Sequence, residues 1–231
     1  MNKGFYQFIA TQNESLFSAI IHFNLENLNN CKETNSTNKA IEKLYPYIEQ
    51  DFLNAYFKEK SCIHNPDFFT YWNYADETKR LLLLDKESLS QLILRFGITI
   101  HAREISLIIK RDDVLAIKKA LGEENYFYAL TRAKYRLNKL CDFYKNKNQH
   151  LDLITRILQN GQNALFHCTT TWEKELKVFF INKYKEEFPH LTTLMQENNE
   201  TIPEDKKRLI WLSIKKILIK EVNSSWLPYF N

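Results

Sequence analysis

Apolar residues recur along this chain with the spacing of successive helix faces. Leu89, Leu92, Ile93 and Phe96 fall at i, i+3, i+4 and i+7, one apolar stripe over two turns. Beyond Gly97 a similar stripe continues through Ile98, His101, Ala102, Ile105, Ile108 and Ile109, and the glycine is expected to break or kink the helix between them. A second element presents Val114, Ile117 and Leu121. Asp112 or Asp113 is placed to cap its start, and Gly122 stands where a terminating glycine belongs. Glu123 and Glu124 then open a third helix, set against the positive end of its dipole, with Tyr126, Leu130, Ala133 and Leu137 along one side. The short connections make residues 86–137 a tight stack of antiparallel or angled helices.

Farther on, Leu151, Ile154, Leu158, Leu165 and Cys168 mark a long helix in which Gly161 allows a neighbour to come close. Trp172, Leu176, Phe179, Phe180 and Tyr184 mark another, expected to stop near Pro189. The last strong helix is predicted over residues 204–222, entered after Pro203, with Ile210, Ile214, Ile217 and Leu218 on one side. Residues 39–61 predict a helix that Pro46 keeps from running straight. Polar stretches at 27–38 and 197–203 read as loops, and no internal repeat is evident. The expected fold class is all-α, an irregular orthogonal or antiparallel helix bundle. It is laid out as a single domain over 1–231, with an N-terminal subregion at 1–80 and the main helical core at 81–231.

Composition sharpens this picture. The chain has 231 residues but only four glycines and five prolines. Tight hairpins and phosphate-cradling loops need glycine for positive φ or close backbone approach, so an all-β fold, a Rossmann unit and a P-loop are disfavoured together. Aromatic residues make up 14%, enough to fill a helical core and to furnish an assembly surface. Net charge is only +4, unevenly divided: residues 1–70 hold 6 basic and 8 acidic side chains, residues 71–231 hold 26 and 20. Lysine outnumbers arginine 24 to 8, which weighs against a dedicated phosphate or nucleic-acid reader, where the guanidinium fork is favoured.

The start of the chain has no apolar stretch of signal-peptide length, and the aliphatic run at residues 81–84 is far shorter than the roughly 20 residues of a membrane helix. Cys31, Cys62, Cys141 and Cys168 are scattered, the pattern of reduced thiols rather than a disulfide framework. A soluble, cytoplasmic protein is expected.

Chemistry-bearing residues are few. Cys62 with His64, and His167 with Cys168, invite a metal or a nucleophile. His101 or His22 would have to complete a zinc set by folding, and neighbouring residues on a helix diverge by about 100°. Buried thiols and ordinary histidines are the plainer reading. His101 lies on an apolar stripe and is expected to be a core histidine bonded to a nearby carbonyl. Asp76/Glu77, Asp112/Asp113, Glu123/Glu124 and Glu186/Glu187 are adjacent acids, mostly where helix ends would explain them. No cofactor motif is present, and the chain reads as a non-enzyme. Two alternatives stay open: a helical cytosolic hydrolase using Cys62 or Cys168, and a weak nucleic-acid-binding helical protein.

The final helix carries Lys206, Lys207, Arg208, Lys215, Lys216 and Lys220 around its apolar side, against Glu204, Asp205 and Glu221. Such a helix can be simply solvated, lie on an anionic membrane, touch phosphates or meet an acidic protein. These six cations are the candidate partner-binding residues, with a protein favoured over nucleic acid because the net charge is small.

The run Leu94-Arg95-Phe96-Gly97-Ile98-Thr99-Ile100-His101-Ala102-Arg103-Glu104-Ile105, followed by Val114, Leu121-Gly122-Glu123-Glu124 and Ala129-Leu130-x-Arg132-Ala133, resembles the K component of type III secretion systems (SctK/YscK family). Looser likeness runs through Ile157-Leu158-Gln159-Asn160-Gly161 to Phe188-Pro189 and resumes at Trp226-Leu227-Pro228-Tyr229-Phe230. The good match covers about 50 residues. The resemblance implies a mostly α-helical, non-enzymatic adaptor of the sorting platform, sitting at the cytoplasmic face of the inner membrane within the secretion complex. Its implied partners are the pod protein (SctQ) and the cytoplasmic domain of the inner-membrane ring protein (SctD), and through them the stator (SctL) and ATPase (SctN). Neither nucleic acid nor membrane insertion is implied.

Overall fold

The computed structural model describes residues 14–29, 74–136, 138–145, 150–197 and 202–230. Among them every regular element is a helix and none is a strand, so the fold is all-α. The predicted helix at 39–61, the pair Cys62/His64, Cys31 and most of the two polar stretches lie outside the described residues.

The elements are α1 (Glu14–Asn29), a 3-10 helix (Glu77–Leu83), α2 (Lys86–Ser106), α3 (Arg111–Leu121), α4 (Glu123–Thr131), a 3-10 turn (Ala133–Tyr135), α5 (Asn138–Lys145), α6 (Leu153–Thr169), α7 (Lys174–Tyr184), α8 (Pro189–Glu197), and α9 (Glu204–Ile217) with its continuation as a π-turn (Leu218–Val222), then a closing 3-10 helix (Ser224–Phe230). They fall into two compact units, residues 1–83 with 227–231, and residues 84–226. In the first, α1 buries Leu16, Ile20, Ile21 and Phe23. There the Arg80 side chain donates to the carbonyl oxygens of Tyr74 (3.2 Å) and Tyr229 (2.8 Å).

The second unit is organised around α2 and α6. Asp85 caps α2 by accepting from the Ser88 amide at 2.7 Å, and Asp152 caps α6 by accepting from Thr155 at 3.0 Å. These caps satisfy first-turn donors left over by the helix ladder. Gly97 does not break α2, which runs through it without a gap. Its backbone φ is not positive; among the described glycines only Gly122 takes that conformation. Glycine here provides room. A Cβ on Gly97 would lie 1.9 Å from the Ile157 carbonyl oxygen, and one on Gly161 would lie 2.1 Å from that of Ile93. The crossing is reciprocal: each helix presents Ile-Leu-x-x-Gly, Ile93 to Gly97 and Ile157 to Gly161, and each glycine receives the other helix's isoleucine carbonyl.

Around this crossing, Ile98, Ala102 and Ile105 of α2, Ile117 and Leu121 of α3, Tyr128 and Ala129 of α4, Ala133 and Ile157 make one apolar cluster. The stripe beyond Gly97 therefore holds to Ile105, but Ile109 falls in the connection to α3 and is 90% exposed. α3 starts two to three residues earlier than its acids suggest. Lys110 occupies the cap position, and Asp112 and Asp113 sit inside the first turn, where they still oppose the dipole. Gly122 ends α3 at φ 84°, as its position predicts. α4 closes at Thr131 rather than running past Ala133, and the turn that follows lets Arg132 and Arg136 converge on Glu221. The long helix starts after Leu151, and Leu158 lies on its outer side.

Pro189 begins α8 instead of merely ending what precedes it. Its missing N–H and fixed φ suit the first helical position. Gln162 of α6 then accepts from the Leu191 amide at 2.8 Å, so a side chain from a neighbouring helix caps α8. Trp172, Phe180, Tyr184 and Phe188 stack in sequence at centroid separations of 5.5, 4.7 and 5.9 Å, joining α7 to the start of α8.

Candidate functional site

The last helix packs by Ile210, Ile214 and Ile217, all buried, and Leu218 and Glu221 of the π-turn continue that side inward. The α-helical period puts residues two positions on from Ile210 and Ile214 about 180° away from the buried line. Leu212 and Lys216 occupy those positions, and Arg208 and Leu209 fall on the same outer face, all four exposed.

The six predicted cations do not act as one patch. Lys206 is half-buried with its ammonium 4.7 Å from the Phe143 ring centroid. Lys207 is half-buried and pairs with Glu204 at 2.6 Å. Lys215 is half-buried on the helix flank. Arg208, Lys216 and Lys220 are the three that reach solvent. Between them lie Leu209, 42% exposed, and Leu212, 50% exposed, which were not singled out in the sequence. Their signal was available: each is a leucine off the Ile210/Ile214/Ile217 line.

Glu221 faces the other way. It is buried, with its two carboxylate oxygens held by Arg132 (2.9 Å) and Arg136. Arg132 and Arg95 also lie over the Tyr128 ring, 5.8 and 5.6 Å from its centroid, and Arg95 pairs with Glu124. The charge of Glu221 is thus used internally, and the exposed side of the helix beyond Asp205 is left positive.

A set of exposed apolar side chains, all but Ile109 unnoticed in the sequence, lies elsewhere. Leu107, Ile109, Leu115 and Phe127 all belong to the α2–α4 segment and are well exposed, Phe127 to 61%. Leu115 and Phe127 lie off the inner stripes of α3 and α4, while Leu107 and Ile109 fall past the end of α2; large apolar groups mark interaction surfaces when they gather.

Around the helix crossing a buried polar chain links α2 and α6. His101 Nδ1 lies 3.0 Å from Glu104 Oε2 and Nε2 lies 2.9 Å from Asn160 Nδ2. An ionised carboxylate only accepts, so Nδ1 carries the proton and Nε2 accepts from the amide. Arg156 grips both oxygens of Glu104, one at 3.2 Å. Burial pushes the His101 pKa down, outweighing the opposing pull of Glu104. Partial burial of Glu104 favours its neutral form, but the Arg156 and His101 hydrogen bonds hold its pKa net below the usual range. His101 is thus a core histidine, as its stripe predicts, but its partners are side chains rather than a backbone carbonyl. Both ring nitrogens are engaged, so neither is presented to a substrate.

The remaining candidates have ordinary settings. Cys168 and His167 are buried on α6, the imidazole among Phe143, Tyr144 and Phe166. Among the described residues no group of three or more His, Cys, Asp or Glu side chains could hold a metal ion, and no helix is long and apolar enough to cross a membrane. The four acid pairs flank helix termini; Glu187 is held below its ordinary pKa chiefly by the hydrogen bond from Lys86. A cleft of about 340 Å³ beside the start of α2 is lined by Asp85, Glu87, Ser88, Gln91, Val222 and Asn223. No protein-family model, curated protein or solved structure matches the chain.

Proposed function

We propose that this chain is a non-enzymatic adaptor that works by its outer faces, and that it serves as the K component of a type III secretion sorting platform. In that role it links a SctD-type inner-membrane ring protein to a SctQ-type pod protein, and so to the stator SctL and the ATPase SctN, at the cytoplasmic face of the inner membrane. The observation that carries the adaptor reading is the presence, within residues 84–226, of two chemically different sets of outward side chains. One is apolar, with Leu107, Ile109, Leu115 and Phe127. The other is the basic strip of α9. Large exposed apolar groups and unopposed charge are what a protein interface uses for affinity and orientation. The secretion-platform assignment rests on the residue likeness around α2 to α4, much of which is core: Ile98, His101, Ala102, Ile105, Leu121 and Ala129 are buried.

The test is co-expression with the ring, pod, stator and ATPase proteins encoded in the same genome, followed by purification on a tag carried by this chain. Stoichiometric recovery of the pod protein and of the ring protein's cytoplasmic domain is expected. Recovery of neither from a strain that makes both would end the assignment.

A further inference from the structure

We infer that the outer face of α9 is a docking site for an acidic amphipathic helix. The face is built from Arg208, Leu209, Leu212 and Lys216, with Lys220 exposed on the π-turn that follows. Its inner counterpart, Ile210, Ile214 and Ile217, is already committed to the core, and the outer residues stay exposed. Leu209 and Leu212 lie three positions apart, on adjacent turns of one side, and keep about half their surface in water. Arg208 precedes them and Lys216 and Lys220 follow. Among the described residues none of these three cations pairs with an acid.

The chemistry of the occupant follows from this arrangement. Two leucines bounded by cations at both ends are complemented by a helix whose own apolar residues repeat at i, i+3 or i+4 and i+7, with Asp or Glu beside them. From Arg208 to Lys216 the strip extends about 12 Å at 1.5 Å per residue, and with Lys220 beyond it on the π-turn it suits a partner helix of about three turns. An anionic membrane fits less well. An in-plane helix needs a broad apolar side to sink into the acyl boundary, and the broad apolar side of α9 faces inward. Nucleic acid also fits less well: one arginine and two lysines supply few phosphate contacts, and no exposed aromatic lies on this face for bases to stack on. Glu221 would have weakened the field of the strip, but it is turned inward and neutralised by Arg132 and Arg136.

The inference names a chemistry and holds whichever proteins the chain serves, so its test contains no secretion-platform component. The probe is a fluorescein-labelled synthetic peptide about four turns long, with leucines at i, i+3 and i+7 and glutamates on either side. Fluorescence anisotropy is read with the full-length protein at 150 mM salt, roughly physiological screening. Saturable binding is expected. It should be lost when the glutamates become lysines, and weakened about tenfold or more in the triple variant Arg208→Glu, Lys216→Glu, Lys220→Glu. The double variant Leu209→Ser, Leu212→Ser should also weaken it. All five positions are exposed, and circular dichroism and thermal melting verify that the variants stay folded. Absence of peptide binding would overturn the inference, as would binding that the folded variants leave unchanged. Capture on phosphatidylglycerol vesicles or a single-stranded RNA oligonucleotide without capture of the peptide would also overturn it, giving the strip to a lipid or a nucleic acid.

Discussion

Gly97 and Gly161 illustrate how a single residue is judged by its neighbours and not by its propensity. Alanine is the better helix former by about 1 kcal/mol, so both substitutions would stabilise an isolated helix. Here a methyl group would meet a carbonyl oxygen at 1.9 or 2.1 Å, and backbone cannot step aside as a flexible side chain can. Gly97→Ala and Gly161→Ala are each expected to lower unfolding free energy by about 2–3 kcal/mol, read as a lower urea midpoint. An unchanged or raised midpoint would show that the helices separate at no cost. His101 gives a pH signature. Its folded pKa lies below the ordinary 6.5, so the unfolded chain takes up its proton first as pH falls. The stability it contributes is complete above about pH 6.5 and is lost as pH descends through the folded value. Glu104, also depressed from its ordinary 4.5, acts in the same sense at lower pH. Between pH 7.5 and 5.5, roughly spanning the ordinary histidine range, the urea midpoint of the wild-type chain should therefore fall more than that of His101→Gln. Parallel curves would remove His101 from the account.

At the scale of the elements, the π-turn that ends α9 is where a buried charge enters. Glu221 is held by two arginines from the α4–α5 connection, of which Arg132 is half-exposed and Arg136 mostly covered. Removing the carboxylate leaves both cations facing a site without a partner, whereas removing Arg132 leaves Arg136 in place. Glu221→Ala is expected to cost about 2–3 kcal/mol, and Arg132→Ala less than about 1 kcal/mol. Equal costs in urea titrations would mean that the two arginines are not redundant. This pairing also shows where sequence reading stops. The apolar lines of α2, α3 and α9 could be read from spacing because a helix repeats every few residues, whereas that of α6 was placed on Leu158 when Ile157 is the buried neighbour. So could Gly122 as a terminator and Gly161 as a point of close approach. The end of α4 could not, and the arginines just past it pair with a glutamate some 85 to 89 residues away. Nor could the role of Pro189, whose helix is capped by Gln162 from α6. Gly97 was legible as unusual but misread as a breaker, because only its companion helix shows what the missing side chain makes room for.

For the molecule as a whole, the candidate site was half visible. The cations of α9 were evident as residue types, yet a linear sequence cannot tell that Lys206 lies over Phe143 or that Lys207 pairs with Glu204. The apolar surface on the α2–α4 segment was hidden for a different reason: leucines and phenylalanines are assumed to be inside until burial is known. If the chain is an adaptor, its two surfaces are separable. Ile109→Asp with Phe127→Asp should leave stability within about 0.5 kcal/mol of wild type, since both side chains already face water, while abolishing capture of one partner and sparing the other. Charge reversal of Arg208, Lys216 and Lys220 should give the complementary loss. Simultaneous loss of both partners from either variant, with melting unchanged, would mean a single shared surface.

The reciprocal glycine crossing reaches beyond this one chain. Two pentapeptides of the form Ile-Leu-x-x-Gly, at Ile93–Gly97 and Ile157–Gly161, are tied to each other by shape, so a descendant that enlarges either glycine must rebuild the whole central pair. Surface loops and exposed charges carry no such debt and are free to drift. Distant kin of this protein should therefore be recognisable by that doubled signature, spaced about sixty residues apart, after the rest of their sequences have diverged past ordinary alignment.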